Sequence, residues 1–466
     1  MFTLAGYIPF NATSQANTKA TQDLYAQKAA YEHIDALPYM CIDLKTFYAS
    51  VECADRRLNP FTTNLVVADP DRGEGTICLA VTPALKAQGV RNRCRVYEIP
   101  KDITYIKVKP RMQHYVDVSA RIRSIYEQFC APCDIFPYSI DECFIYIAPY
   151  IKRYNMSSQQ IAQMLIDAVY EQEHICATAG IGSNMFLAKI AMDIIAKHNN
   201  THMGILTKTL FYRDIWHHRP LTDIWGIGSS TAQKLAHYGV FDLHGVCGIP
   251  NEILLREFGI GAHTLIQHAW GLDFCTISSI KAYKPQHQSI SNGQVLLRDY
   301  SKAEAKSICK EMIYDSCLRL IEERNTCSCI TLEVMYTNTP LAQVNGIDSV
   351  YLKSRQYTLH CSHTLSYHTA SRSILEQILD TLWDTRVDKD RLIRKICITL
   401  GNLKPQAQVT PTLFEGDETH TNEYKLAYAT LAVKHKYGKN SLLRGTSLLP
   451  HATGRQRNQQ IGGHHA

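Results

Sequence analysis

Two carboxylates stand side by side in the run Tyr138-Ser-Ile-Asp141-Glu142-Cys-Phe-Ile-Tyr-Ile147, at the head of an apolar, β-rich stretch that otherwise reads as a buried strand. Neighbouring residues on a strand point to opposite faces, so Asp141 and Glu142 can serve one target only where the chain turns. A tight hairpin meets that condition. An Asp-Glu pair also marks many ordinary exposed turns, and a further strand-end carboxylate, Asp43, shifts the weighing. It closes the short apolar run Pro38-Tyr-Met-Cys-Ile-Asp43, and Leu44 to Glu52 continues with helical character, placing Phe47, Tyr48 and Val51 on one side. Strand, acid and helix start together suit a hard metal ion and phosphates: the acid supplies an oxygen ligand and the free amides of the first turn face the anion. Lys189, in Gly180-Ile-Gly-Ser-Asn-Met-Phe-Leu-Ala-Lys189, rides on a helix opened by a glycine turn. Taken alone, it fits a solvated helix lysine equally well.

The elements that must position these groups follow from the patterning. Residues 65–69 and 76–81 read as strands around a loop at 70–75, and a helix beginning near Pro83 carries Lys86. A strand at 103–108, a helix at 111–130, the Asp-Glu hairpin, a helix at 157–173 and a strand at 175–180 complete a βαββαβ sheet with the acids on central strands. From Leu221 the texture changes to short helices and glycine turns. Ile224-Trp-Gly226-Ile-Gly228-Ser-Ser-Thr-Ala-Gln-Lys-Leu235 fits a helix–hairpin–helix whose glycine amides reach a DNA phosphate without reading sequence. A polar linker at 281–288 leads to a second, smaller α/β domain at 289–403, with strands at 293–298, 329–336 and 392–400 and helices at 302–324 and 371–384. After Pro405 the chain turns polar, apart from the apolar knot Thr410-Pro-Thr-Leu413-Phe414.

Length and composition bound the possibilities. A chain of 466 residues has room for three or more domains, and 45% apolar with 20% charged content fits a soluble globular protein. No run approaches the roughly 20 apolar residues of a membrane span, and Met1 to Phe10 lacks the basic start of a secretory signal. The 16 cysteines are scattered, and Cys130-Ala-Pro-Cys133 has no second pair to complete a zinc site, which points to reduced thiols and a cytoplasmic location. The net charge is +6, and residues 419–466 hold seven Lys/Arg against one acid, Glu423. Such a tail is compatible with phosphate-backbone binding and equally with a solvated terminus.

Three motifs and their order resemble the Y-family (lesion-bypass) DNA polymerases, within them the UmuC-like branch, and most of all the UvrX-type proteins of Gram-positive bacteria and their phages and plasmids. Asp43-Leu-Lys-Thr-Phe-Tyr-Ala-Ser-Val-Glu52 is similar to the family's first catalytic motif, Ser139-Ile-Asp-Glu142 to its second, and Gly180-Ile-Gly-Ser-Asn to Lys189-Ile-Ala to its third. Thr82-Pro-Ala-Leu-Lys86, Lys436-Tyr-Gly-Lys-Asn-Ser-Leu-Leu-Arg444 and Ile461-Gly-Gly-His464 are similar to the UvrX-type subgroup. The resemblance implies an α+β multidomain right hand. An N-terminal extension (1–37) precedes a ferredoxin-like palm (38–64 and 96–204), small fingers (65–95), a helix–hairpin–helix thumb (205–280), a separate α/β little finger (288–403) and a basic tail (404–466).

By the same resemblance the activity is error-prone, DNA-directed DNA synthesis past damaged bases in an SOS-type response, using two Mg²⁺ ions and deoxynucleoside triphosphates. Asp43 and Asp141 would bridge both metals, Glu142 would hold the primer-side one, and the Leu44 carbonyl would complete the nucleotide-side one. The Phe47 and Tyr48 amides would meet the triphosphate, Lys189 would neutralise its β/γ end, and Lys86 would reach it from the fingers. Tyr48 corresponds to the steric gate against a ribose 2′-hydroxyl, although plain core packing also suits it. Many family members carry Tyr and Arg where this chain has Pro83 and Lys86, which removes one donor and one bidentate fork. Leu413 and Phe414 match the anchors of a sliding-clamp peptide that here lacks its first Gln. Partners implied are primer-template DNA, the clamp, and UmuD-like or recombinase accessory proteins, with no membrane. Two competing readings are a non-catalytic DNA- or clamp-binding accessory protein, which would not need three carboxylates and Lys189, and a nucleotidyl cyclase, which leaves the helix–hairpin–helix and the last domain unexplained.

Overall fold

The computed structural model describes residues 37–285, 288–337, 358–409 and 418–465. The N-terminal extension and the Leu413–Phe414 anchors therefore lie outside the described residues. The chain divides at Tyr283/Lys284 into two compact units.

In the first unit, β1 (Tyr39–Leu44) leads through a left-handed Thr46 (φ 49°) into helix α1 (Phe47–Asp55). Strands β2 (Leu65–Val67), β3 (Ala80–Val81) and, after the short helix α2 (Pro83–Ala87), β4 (Ile106–Val108) form a separate three-stranded sheet in the order β3-β2-β4. The 95/96 boundary expected from the sequence falls within this small-sheet region. Ile106–Val108 pairs in parallel with Leu65–Val67 and not with the large sheet, and Val96 and Ile99 pack in a core with Val66, Val81 and Leu85.

Helix α3 (Met112–Phe129), strands β5 (Ile135–Pro137) and β6 (Glu142–Tyr146), and helices α4 (Ala148–Tyr154) and α5 (Ser158–Glu173) follow. Ser157 caps α5 by a reciprocal capping box with Gln160. Strand β7 (Ala177–Gly182), helix α6 (Met185–Ile190) with a wide π-turn at Ala191–Ile195, and β8 (Met203–Leu206) complete the region. The large sheet runs β5-β6-β1-β7-β8, so β1 is central and buried on both faces.

The glycines expected to form a turn at 180–182 lie instead within β7, and Asn184 caps α6, its Oδ1 accepting from Leu187 N at 2.8 Å. Their role is close approach. A Cβ on Gly180 would lie 2.1 Å from the Ala188 carbonyl oxygen, and one on Gly182 would lie 2.3 Å from Ala188 N. Helix α6 thus sits on the sheet at a distance that any larger residue forbids.

Helices α7 (Ser229–Ala236), α8 (Leu243–Cys247), α9 (Asn251–Phe258), α10 (Gly261–Ala269) and α11 (Ile277–Ala282) close the first unit around Ile227, Leu235, Leu243 and Leu254. Gly226 has φ +87°, a value glycine adopts without strain.

The second unit holds a five-stranded antiparallel sheet among the described residues, order β11-β10-β12-β9, built from β9 (Ile290–Tyr300), β10 (Asn325–Tyr336), β11 (Thr358–Thr369) and β12 (Ile393–Gly401), with the short β13 (Lys404–Pro405) paired to the start of β10. Helices α12 (Lys302–Glu322) and α13 (Arg372–Arg386) cover one face. Strand β11 escaped the sequence reading because it is an edge strand whose outward positions (His360, Ser362, Thr364) are polar.

In the tail, residues 418–465 are folded, beginning with α14 (Glu418–Tyr437), whose Tyr424, Ala427 and Leu431 pack on the unit's core. Its charges are paired with other elements: Arg444 with Glu376 at 2.6 Å, and Glu423 accepting from the Ser371 hydroxyl at 2.8 Å and the Ser373 amide at 3.0 Å. Buried Glu311 accepts from the amides of Thr453 and Gly454 at 3.2 and 3.0 Å. Composition could not show this, because the partners are distant in sequence.

Candidate active site

The three acids converge through register. In the antiparallel β1/β6 pair, Cys41 faces Phe144 and Asp43 faces Glu142. By the period of two, Asp43 and Glu142 share the face on which Cys41 and Phe144 pack against Met185, Ala188 and Met192 of the α6 segment. Asp141 lies just before β6, in the turn, where its carbonyl accepts from Leu44 N at 2.9 Å. Ser139 holds that turn: its hydroxyl bonds Asp141 Oδ1 at 2.6 Å and accepts from Glu142 N at 3.0 Å. The two neighbouring acids thus face one cleft because one lies on the turn and the other opens the strand.

The cleft measures about 1610 Å³ and is lined by Asp43, Asp141, Glu142, Tyr48, Lys86 and Lys197, among others from the same unit. Burial, partly opposed by Lys197 and reinforced by Glu142 and Asp141, pushes the Asp43 carboxyl up to about 7. Asp141 is raised mainly by burial, with its Ser139 bond opposing and Glu142 reinforcing. Three carboxyls crowded this closely need added positive charge.

Some of that charge comes from a lysine ladder. Lys189, Asp193 and Lys197 stand at successive intervals of four residues on the helical segment after β7. Lys189 Nζ contacts Glu142 Oε1 at 2.7 Å and Asp193 Oδ2 at 2.9 Å, while Lys197 Nζ contacts Asp193 Oδ1 at 2.8 Å and Asp43 Oδ2 at 3.4 Å. Burial disfavours both ammonium charges, yet Cys41, Glu142 and Asp193 lift Lys189 above its ordinary value, and Asp43 and Asp193 do the same for Lys197. Lys189 is 4% exposed, whereas the Lys197 side chain is 35% exposed and lines the cleft. Lys197 and Asp193 escaped the sequence reading. Their spacing from Lys189 was the available signal.

The opposite wall is built by α1 and the small sheet. Tyr48 and Phe47 both line the cleft; the Phe47 residue is 3% exposed, and its backbone amide lies at the helix start. The Tyr48 ring stacks on Tyr115, centroids 4.6 Å apart and 20° from parallel. Burial and the nearby Asp141 raise the Tyr48 phenol, opposed by Arg93. Lys86 reaches the cleft from α2, and burial lowers its pKa while Asp43 opposes that shift. Asn92 and Arg93 line the same wall and were missed for want of any pattern around them. From α7's side, Gly226 borders the cleft, and Trp225 Nε1 donates to the Tyr138 hydroxyl at 3.2 Å beside the acidic turn. Gly228, the N-cap of α7, follows directly. Among the described residues, no helix is long and apolar enough to cross a membrane.

With sheet, acidic cleft and thumb-like helices in place, comparisons with known proteins give the class. The impB/mucB/samB family matches at residues 42–193, its C-terminal domain at 287–413 and the IMS family HHH motif at 215–240. The chain belongs to this family, the Y-family polymerases. At the level of single proteins it is 28% identical over 428 residues to a UV-damage repair protein, UvrX, of Bacillus subtilis, covering 91% of this chain and 97% of that one. It is 27% identical over 430 residues to DNA polymerase IV 2 of the same organism, covering 91% and 98%. DNA polymerase IV of Pelotomaculum thermopropionicum is 26% identical, over 90% of this chain and 98% of that one. A solved chimeric Y-family DNA polymerase matches the fold with a TM-score of 0.60 at 18% identity, over 78% of this chain and 98% of its own.

Proposed function

We propose that this protein is a DNA-directed DNA polymerase of the lesion-bypass type, joining deoxynucleotides to a primer opposite damaged as well as intact template. The observation that carries the reading is the Asp43–Glu142 register with Asp141 beside it, bordered by Lys197, Lys86 and a helix start. Three carboxyls crowded into one cleft, with burial and their mutual repulsion raising Asp43 and Asp141, are a hard oxygen donor set that fits divalent cations of the Mg²⁺ type. Asp43, Asp141, Glu142 and the Leu44 carbonyl would hold two such ions. Bound there, the ions lower the pKa of the primer 3′-hydroxyl and offset charge on the transferring phosphoryl group.

The chain's own residues do the positioning. Asp43 and Asp141 would hold both ions and Glu142 the primer-side one, with Lys189 holding the Glu142 carboxylate in place. The Phe47 and Tyr48 amides meet the triphosphate at the positive end of α1. Lys197 and Lys86 add point charges to the triphosphate; both ladder lysines are ion-paired, and Lys197 is preferred to Lys189 for that contact because its side chain is 35% exposed and Lys189 is 4% exposed. Tyr48 lies under the sugar and excludes a 2′-hydroxyl. The helix–hairpin–helix amides at Gly226 and Gly228 hold a DNA phosphate without reading its sequence. The palm, fingers, thumb and little finger correspond to the large sheet, the β2–β4 sheet, α7–α11 and the second unit's sheet. Leu413 and Phe414 remain the candidate clamp anchors, and UmuD-like or recombinase partners and a cytoplasmic location complete the reading.

The test is primer extension on intact and abasic templates with Mg²⁺. Asp141→Ala and Glu142→Ala should each abolish extension while primer-template binding in a gel shift persists. Extension at near wild-type rate by either variant overturns the assignment. A chain that binds DNA but extends no primer as wild type favours the accessory-protein reading.

A further inference from the structure

A second cluster of ligating side chains lies away from the cleft, where the segment after β8 meets α8. His217, Asp242 and His244 each offer a donor atom, and the three atoms all lie within 4.8 Å of one another. None of the three lines the catalytic cleft. We propose that these three residues form a binding site for a borderline divalent transition-metal ion of the Zn²⁺ class, with an open coordination position toward solvent.

The cluster is held from several sides. The His244 amide donates to the Trp216 carbonyl at 3.1 Å, which fixes the two segments against each other. The Trp216 indole, anchored by its Nε1 to the Ala269 carbonyl at 2.9 Å, lies edge-on to the His244 ring with centroids 4.7 Å apart. The His217 ring lies 4.7 Å from the His244 ring, and its Nδ1 is 3.6 Å from Asp242 Oδ2. Asp242 is 7% exposed, and its Oδ1 caps α8 by accepting from Gly245 N at 2.9 Å, so the carboxylate orientation is set by the backbone. This is the kind of outer support that orients metal ligands.

Arg219 also contacts Asp242 Oδ2, at 2.9 Å, and is 63% exposed, so it can swing to solvent as an ion enters. His217 is equally exposed and gives that entry path. Two imidazoles and one carboxylate suit zinc-type ions, whose three-ligand sites keep a fourth position open, and do not suit Mg²⁺, which prefers oxygen. The cluster therefore does not compete with the palm acids for the same ion. An occupied site would cross-link the 216–219 segment to α8.

The experiment is Zn²⁺ binding by calorimetry on the full chain, in excess Mg²⁺ and reducing agent, with thermal unfolding as a second readout. The wild type should take up one more equivalent than the His217→Ala/His244→Ala double variant, and its melting temperature should rise with Zn²⁺ while the double variant's does not. Asp242→Asn, which keeps the capping oxygen but not the charge, should bind about tenfold or more weakly. His218→Ala, whose imidazole pairs with Asp223 at 3.0 Å, should bind as wild type. Equal uptake by wild type and double variant, unchanged affinity in Asp242→Asn, or equal loss in His218→Ala would each overturn the site. Primer extension should be unaffected by all of these variants.

Discussion

The ring of Tyr48 lies on the ring of Tyr115, and the Tyr115 hydroxyl donates to the fully buried Glu52 at 2.6 Å. Glu52 in turn accepts from Arg111 Nε at 2.9 Å and Nη2 at 2.8 Å, and from Arg56. The ring that borders the cleft is thus backed by a buried aromatic whose own position is fixed by a charged network.

Three substitutions separate gate from support. Tyr48→Ala should admit ribonucleotides, while Tyr115→Phe, which keeps the stack and loses only the hydroxyl, should preserve most sugar discrimination. Tyr115→Ala should relax it toward the Tyr48→Ala level. The measurement is the ratio of kcat/KM for deoxynucleotide over ribonucleotide, and unchanged selectivity in Tyr48→Ala would sink the gate.

The two lysines of the ladder should fail differently. Lys189→Met leaves Glu142 and Asp193 without their shared buried cation and should cost about 2–3 kcal/mol of stability, less than a fully buried pair because Asp193 is partly exposed. Lys197→Ala, at a more exposed position, should cost under about 1 kcal/mol and instead raise KM for the nucleotide. Urea unfolding and steady-state extension distinguish them, and equal destabilisation would contradict the division.

Gly180→Ala should push α6, and with it Lys189, off β7, since the added Cβ meets backbone atoms at 2.1 and 2.2 Å. The expected loss is about 1–3 kcal/mol or more, with reduced extension even under conditions where the variant remains folded. A variant as stable and active as wild type would mean that the helix yields without cost.

His268 is stacked on Phe186, centroids 4.0 Å apart, and burial pushes its imidazole down to about 3. A histidine lowered from its unfolded value near 6.5 stays neutral in the fold while the unfolded chain takes up a proton. The fold therefore suffers no penalty from this group above about pH 6.5 and loses stability as pH falls toward 3, by up to about 1.4 kcal/mol per pH unit. His268→Phe should show a shallower acid decline in unfolding free energy than wild type. Parallel curves from roughly pH 7 to 4 would show that His268 ionises freely in the fold.

Much of the site was legible in the chain because it is written in local rules. Asp43 at a strand end before a helix, the Ser139-Ile-Asp-Glu142 turn and the Gly226-Ile-Gly228 hairpin all depend on periodicity and turn chemistry acting over a few residues. The capping box of Ser157 and Gln160 is of the same kind. What the tertiary structure alone decided is non-local. Only the β1/β6 register places Asp43 opposite Glu142, and a slip of one residue would turn them to opposite faces. Only the docking of α6, possible because Gly180 and Gly182 lack side chains, commits Lys189 to Glu142 and leaves Lys197 at the cleft. The folded tail shows the same division: from sequence its cations left phosphate binding and a solvated terminus equally open, because Glu376 and Asp315, the partners of Arg444 and Arg457, lie more than sixty residues away. Sequence spacing fixes what one element can present, whereas the partner it meets is set by packing between elements that the chain brings together only on folding.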